Sequence, residues 1–120
     1  MLTLVRVPVW ASERAIWSDA SRKSPAKVRP WVNLGNVYAQ RGELDIAAAH
    51  YAHAMELASH SGRPRYERET GWAVAAVNLA QMHRAMGRHE EAAALLTSVR
   101  GRFPKFQEAE RLEAFWRSGS

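Results

Sequence analysis

The side chains of this chain that could do chemistry are its histidines, its paired carboxylates and its arginines. His50 and His53 stand three residues apart in "AAHYAHAM", a spacing that sets two imidazoles on one helix face and could begin a metal site. The H-E-x-x-H arrangement of metalloproteases needs a glutamate after the first histidine, yet Tyr51 stands there, and no motif places a third ligand. Glu90-Glu91 could form an acid–base pair, but opening a helical pattern they fit better as charges favouring a helix start. His83 falls at a packing position and is expected to be a packed, hydrogen-bonded side chain. No phosphate-cradling glycine loop, nucleophile elbow or cysteine nucleophile occurs. Neither catalysis nor a cofactor or metal is expected.

The other chemical possibility is nucleic-acid binding, since Lys and Arg number 17 and five tryptophans could supply stacking. Those cations are interleaved with 12 acids, leaving a net charge of +5 and a pI near 10.2. A solvated basic surface is the better reading, with nucleic acid as the weaker alternative. The same charge favours acidic partners weakly. With 120 residues and 47% apolar content, one core and one domain are expected. There is no cysteine, so stability must come from packing. No apolar run approaches the roughly 20 residues of a membrane span. "MLTLVRVPVW" is too interrupted by Arg6 and Pro8 for a signal peptide, so the chain as given is expected to be soluble without inserting into a membrane.

These residues are positioned by helices. Trp31, Leu34, Val37 and Tyr38 recur at helical spacing and predict a helix from Trp31 to Gln40, with Pro30 at its start and Gly42 as its stop. A second helix is predicted from Glu43 to Ser59, its many alanines giving a thin side that a neighbour can approach. The loop signals Ser61-Gly62 and Pro64 precede a long helical pattern from Arg65 to Met86, which Gly87 ends. Further helices are predicted at His89 to Gly101 and Lys105 to Arg117, separated by Phe103-Pro104, and at Ser12 to Arg22 near the start. Ser118-Gly119-Ser120 reads as a frayed end or an appended tail.

Within this pattern lies a repeat. Trp31-x2-Leu34-Gly35-x2-Tyr38, Gly42, Ala47-x3-Tyr51 and Ala54 resembles the tetratricopeptide repeat, whose period is about 34 residues. Ala76, Leu79, Ala80, His83, Gly87, Ala92, Leu96, Val99 and Pro104 form a second copy in the same phase. The resemblance implies an all-α, right-handed superhelix of antiparallel helix pairs, about six helices in all. It divides the single domain into a partial-repeat helix at 12–27, a repeat unit at 28–61, an insertion or helix extension at 62–72, a second unit at 73–106 and a capping helix at 107–117. Gly35 and Ala80 are expected where paired helices cross, and Trp17 and Trp31 in the repeat core. An isolated half repeat at 12–27 implies either a cap or a cut from a longer chain. The stretch "WASERAIWSDASRKSPAKVRPWVNLG" is similar to the junction where tetratricopeptide domains follow multi-pass membrane glycosyltransferase-like proteins.

The family resemblance implies a concave groove lined by the first helix of each unit. Its expected lining is Arg29, Val32, Asn33, Asn36 and Gln40 from one copy, and Val77, Asn78, Gln81 and Arg84 from the other. Asn33 and Asn78 share a phase, similar to the asparagine ladders that hold extended peptides by their backbone amides. An asparagine both donates and accepts, so it suits a peptide bond whatever the side chain. The expected function is protein or peptide binding, with an extended or acidic segment as partner. The alternative is a structural tail of a membrane-associated protein, able to self-associate through exposed repeat ends. Location would be cytoplasmic for a free-standing chain and extracytoplasmic for such a tail.

Overall fold

The computed structural model describes residues 8–60 and 62–118, so the sequence features at Met1 to Val7, Ser61 and Gly119-Ser120 lie outside it. Its secondary structure is helical, with no strand among the described residues. The first helix, α1, is Val9–Lys23 and begins earlier than Ser12. Pro8 explains the early start: it has no N–H to lose, its φ is −56°, and its carbonyl accepts the amides of Ala11 and Ser12. Helix α2, Val28–Gln40, likewise starts ahead of Pro30. That proline sits inside the first turn, where a backbone N–H would have no intrahelical acceptor.

Helix α3 is Leu44–Ala58. It follows a tight turn at Gly42, whose φ of 77° is a left-handed conformation that glycine adopts at little cost. Glu43 N–H closes this turn on the Tyr38 carbonyl at 3.0 Å. The same closure recurs at Gly87 (φ 84°), where Arg88 N–H reaches the His83 carbonyl at 2.7 Å. Between them, Arg65 and Tyr66 are helical, a π-helical turn spans Glu67–Gly71, and α4 continues as Trp72–Ala85. Helix α5 is His89–Arg102, with Glu90 and Glu91 in its first turn and Arg100 and Arg102 in its last, the charge order that complements the helix dipole. Helix α6 is Gln107–Arg117, two residues shorter at its start than the pattern from Lys105 predicts.

Successive helices pack on one another, α1 on α2, α2 on α3, and so on to α6, giving an array 60 × 40 × 20 Å in extent. A layered stack of this kind needs small residues, and the core is built from them: Ala47, Ala54, Ala76, Ala80 and Ala92 are fully covered. Tyr51, Leu96 and Val99 are the largest side chains wholly enclosed. Gly35 makes room for the first. A Cβ on Gly35 would stand 2.6 Å from Cε1 and 2.8 Å from Cδ1 of Tyr51, so the ring lies directly on the α2 backbone. Trp31 packs against the core edge and donates its indole N–H to the Pro25 carbonyl at 2.9 Å, tying α2 back to the turn that follows α1. Trp17 is only half-buried and stands outside the core cluster, contrary to the expectation for it. Its helix is covered by α2 on one side alone.

Candidate functional site

The first helix of each pair, α2 and α4, carries the residues singled out for binding. Asn36 lies on α2 and Asn78 on α4, and the two side chains meet. Tyr51, rising from α3, donates its hydroxyl proton to Asn36 Oδ1 at 2.5 Å, and Asn78 Nδ2 donates to the same oxygen at 3.5 Å, the long limit of a hydrogen bond. One carbonyl oxygen therefore links three helices and both repeat units. Burial holds the Tyr51 phenol un-ionised, pushing its pKa up to about 12. The described hydrogen bonds leave the NH2 group of Asn36 and the carbonyl oxygen of Asn78 unengaged.

Asn33 is half-exposed one turn before Asn36, and no described hydrogen bond engages its side chain. Arg29, Gln40 and Gln81 are exposed. Arg84 is half-buried, with its guanidinium 4.7 Å from the centre of the Trp116 ring, so α4 and α6 meet through a cation–π contact. The two valines differ from expectation. Val32 (9% exposed) and Val77 (3%) belong to the hydrophobic core, because both sit on helices whose apolar stripe is wide enough to include them. Val77 still forms part of a hollow of about 270 Å³ between α4 and α6, lined also by Gln81, Glu108, Arg111, Leu112 and Phe115. Phe115 is 61% exposed there.

Contributions from α6 were not visible in the repeat pattern, since that helix carries few consensus residues. A spacing of four between Arg111 and Phe115 was the available signal. The tryptophans also differ from the stacking platforms that nucleic-acid binding would use. Trp10 faces Arg41 and Arg14 at 4.1 and 5.3 Å, and Trp72 faces Arg102 at 4.0 Å, so three of the five rings already carry arginines of the chain itself.

The histidine pair is drawn into packing. His53 stands edge-on to Trp31 with ring centres 4.5 Å apart, while His50 lies between Trp31 and Tyr38 at 5.8 and 5.4 Å. Burial, and then the neighbouring His53, lower the His50 pKa from its usual 6.5. Among the described residues no group of three His, Asp or Glu side chains is disposed to hold a metal ion. His83 is packed as expected, but its buried Nδ1 has no hydrogen-bond partner and lies 3.6 Å from Glu91 Oε2. None of the described helices is long and apolar enough to cross a membrane.

A protein-family model, the tetratricopeptide repeat, matches residues 26–105, a span that takes in both helix pairs, α2 with α3 and α4 with α5. The likeness of residues 10–35 to a membrane glycosyltransferase junction has no counterpart in this match. No curated protein matches the chain.

Proposed function

From the premise that this chain belongs to the tetratricopeptide repeat family, we propose that it is a non-catalytic protein-interaction module that holds an extended partner segment along α2 and α4. The observation that carries this reading is the Asn36–Asn78 contact, which makes the polar faces of the two first helices continuous. Asn33 and Asn78 offer amide groups to a peptide backbone, and Gln81 extends that polar line. Arg29 lies at one end of the face and Arg84 at the other, so carboxylates on the partner are favoured over cations. Phe115 and Leu112 add an apolar contact beside Val77 for a bulky side chain. The repeat division proposed with it keeps 28–61 and 73–106 as the units, joined through the 62–72 segment, with 12–27 and 107–117 as flanking helices.

Peptides selected from a random display library against the intact chain provide the test. Selected sequences are expected to be rich in acids. They should bind the Asn33→Ala, Asn78→Ala double variant about tenfold or more weakly, while its helical circular dichroism is unchanged. Equal affinity for the double variant would remove the peptide from this face.

A further inference from the structure

We propose that the cleft between the π-helical turn and the α5–α6 junction is a second docking site, apart from the α2–α4 face, that takes an acidic partner segment bearing a bulky apolar side chain. Two hollows of about 530 and 590 Å³ share Arg65, Glu69, Arg102 and Phe103 and so form one cleft. Its floor is apolar, made by Ala73, Phe103 and Phe106. Arg65, Arg68, Arg102 and Lys105 stand around that floor, against a single carboxylate, Glu69. Glu69 is already engaged, accepting from Arg65 Nε at 2.8 Å.

The other three cations have no carboxylate partner among the described ion pairs. Arg102 is placed by aromatic faces, 4.0 Å from the centre of Trp72 and 5.5 Å from that of Phe103. A guanidinium stacked in this way is held in position while its N–H donors stay uncommitted, which suits it to a carboxylate. Arg68 Nε donates to the Arg63 carbonyl at 3.1 Å, and Arg63 pairs with Glu67 at 3.1 Å, so the turn holds its own shape.

Two features set this cleft apart from an ordinary solvated basic patch. The wall contributed by Glu67–Gly71 is a π-helical turn, a rare geometry that frequently occurs at functional sites. It also falls within 62–72, the segment that the proposed repeat division leaves between its two units. Charge complementarity names an anion, and the phenylalanine floor names an apolar companion to it. A peptide fits better than a nucleic acid, because Trp72 is buried beneath Arg102 and offers no open ring for a base.

The probe is a short fluorescent peptide with glutamates flanking one phenylalanine, titrated into the intact chain at low salt. A glutamine analogue and an oligothymidylate serve as comparisons. The acidic peptide should bind, weaken with added salt, and bind about tenfold less tightly to the Arg68→Gln, Lys105→Gln double variant. Lys105 is exposed and makes no described hydrogen bond, so Lys105→Gln alone should retain the parent fold and show a smaller loss of the same kind; Arg102→Gln should show the full loss. Repeated in the Asn33→Ala, Asn78→Ala background, which weakens the α2–α4 face, the binding and its loss on changing the cleft should both persist, which separates the two sites. No binding, equal binding of the glutamine analogue, or loss only in the asparagine variant would overturn the proposal. Tighter binding of the oligothymidylate, abolished by the cleft variants, would overturn the peptide assignment.

Discussion

Tyr51 and Asn36 share a 2.5 Å hydrogen bond across the α2–α3 interface, from a phenol that is 2% exposed to an amide oxygen that also meets Asn78 of the next repeat unit. The bond serves packing and surface together. It satisfies the one polar atom of an enclosed ring, and it turns the Asn36 carbonyl inward, so that the amide NH2 is the part left for the surface.

Removing only that hydroxyl, as Tyr51→Phe, should lower stability by about 1 kcal/mol, since the ring stays packed and one internal hydrogen bond is lost. Urea midpoints measure this. The alkaline side follows from the raised pKa. In the unfolded chain the phenol ionises near 10, whereas folded it ionises only near 12, so folding binds the proton more tightly between those values. Stability should therefore fall as pH rises from 10 to 12, and Tyr51→Phe should lack that contribution. An identical alkaline slope in the two proteins would count against the burial of the phenol.

Gly35→Ala should be destabilising by about 1–3 kcal/mol, although alanine is favoured over glycine in a helix interior by ~1 kcal/mol. The new methyl would overlap the Tyr51 ring at 2.6 Å, and that ring is pinned by Asn36. Thermal or urea denaturation reports the sign directly. A more stable Gly35→Ala protein would show that the ring does not lie on the α2 backbone.

Leu96→Ala should cost about 2–5 kcal/mol, because the side chain is wholly enclosed in a core rich in alanines, which are too small to fill the space. Leu112→Ala, at a half-buried position, should cost less. The order of the two denaturation midpoints is the measurement, and a reversed order would place the core elsewhere.

Acid should weaken the fold through His50. Its folded pKa is lowered by burial and by His53, so below 6.5 the unfolded chain takes up a proton that the folded one resists. The stability associated with neutral His50 is present above 6.5 and is lost as pH falls from there toward the folded pKa. His50→Gln should flatten that part of the stability–pH curve, and an unchanged slope would assign the acid sensitivity to other groups.

Much of the architecture was legible in residue order. Glycines at 42 and 87, the helical stripe from Trp31 to Tyr38 and the in-phase alanines are local signals, set by backbone conformation and by the small volume needed where helices cross. The repeat follows from them, and with it the family. Helix starts were less legible. Val9 and Val28 begin helices because the prolines at 8 and 30 cost nothing in or beside a first turn, a tolerance that makes proline a poor marker of the first helical residue.

The surface was legible only in part, and the reason is geometric. Helical phase shows that Asn33 and Asn36 share a side of α2 but not how wide the apolar stripe beside them is, so it puts Val32 and Val77 on the surface while packing draws both into the core. Which carbonyl Tyr51 would reach, which arginine would cover Trp72, and that the stretch between the repeats would wind into a π-helical turn beside Arg102 all depend on residues far apart in the chain. The sequence by itself determined the helices, their turns and the repeat, because each is decided within a few residues. Tertiary structure alone decided which polar atoms are spent inside and which remain at the surface, because that depends on how closely separate helices approach.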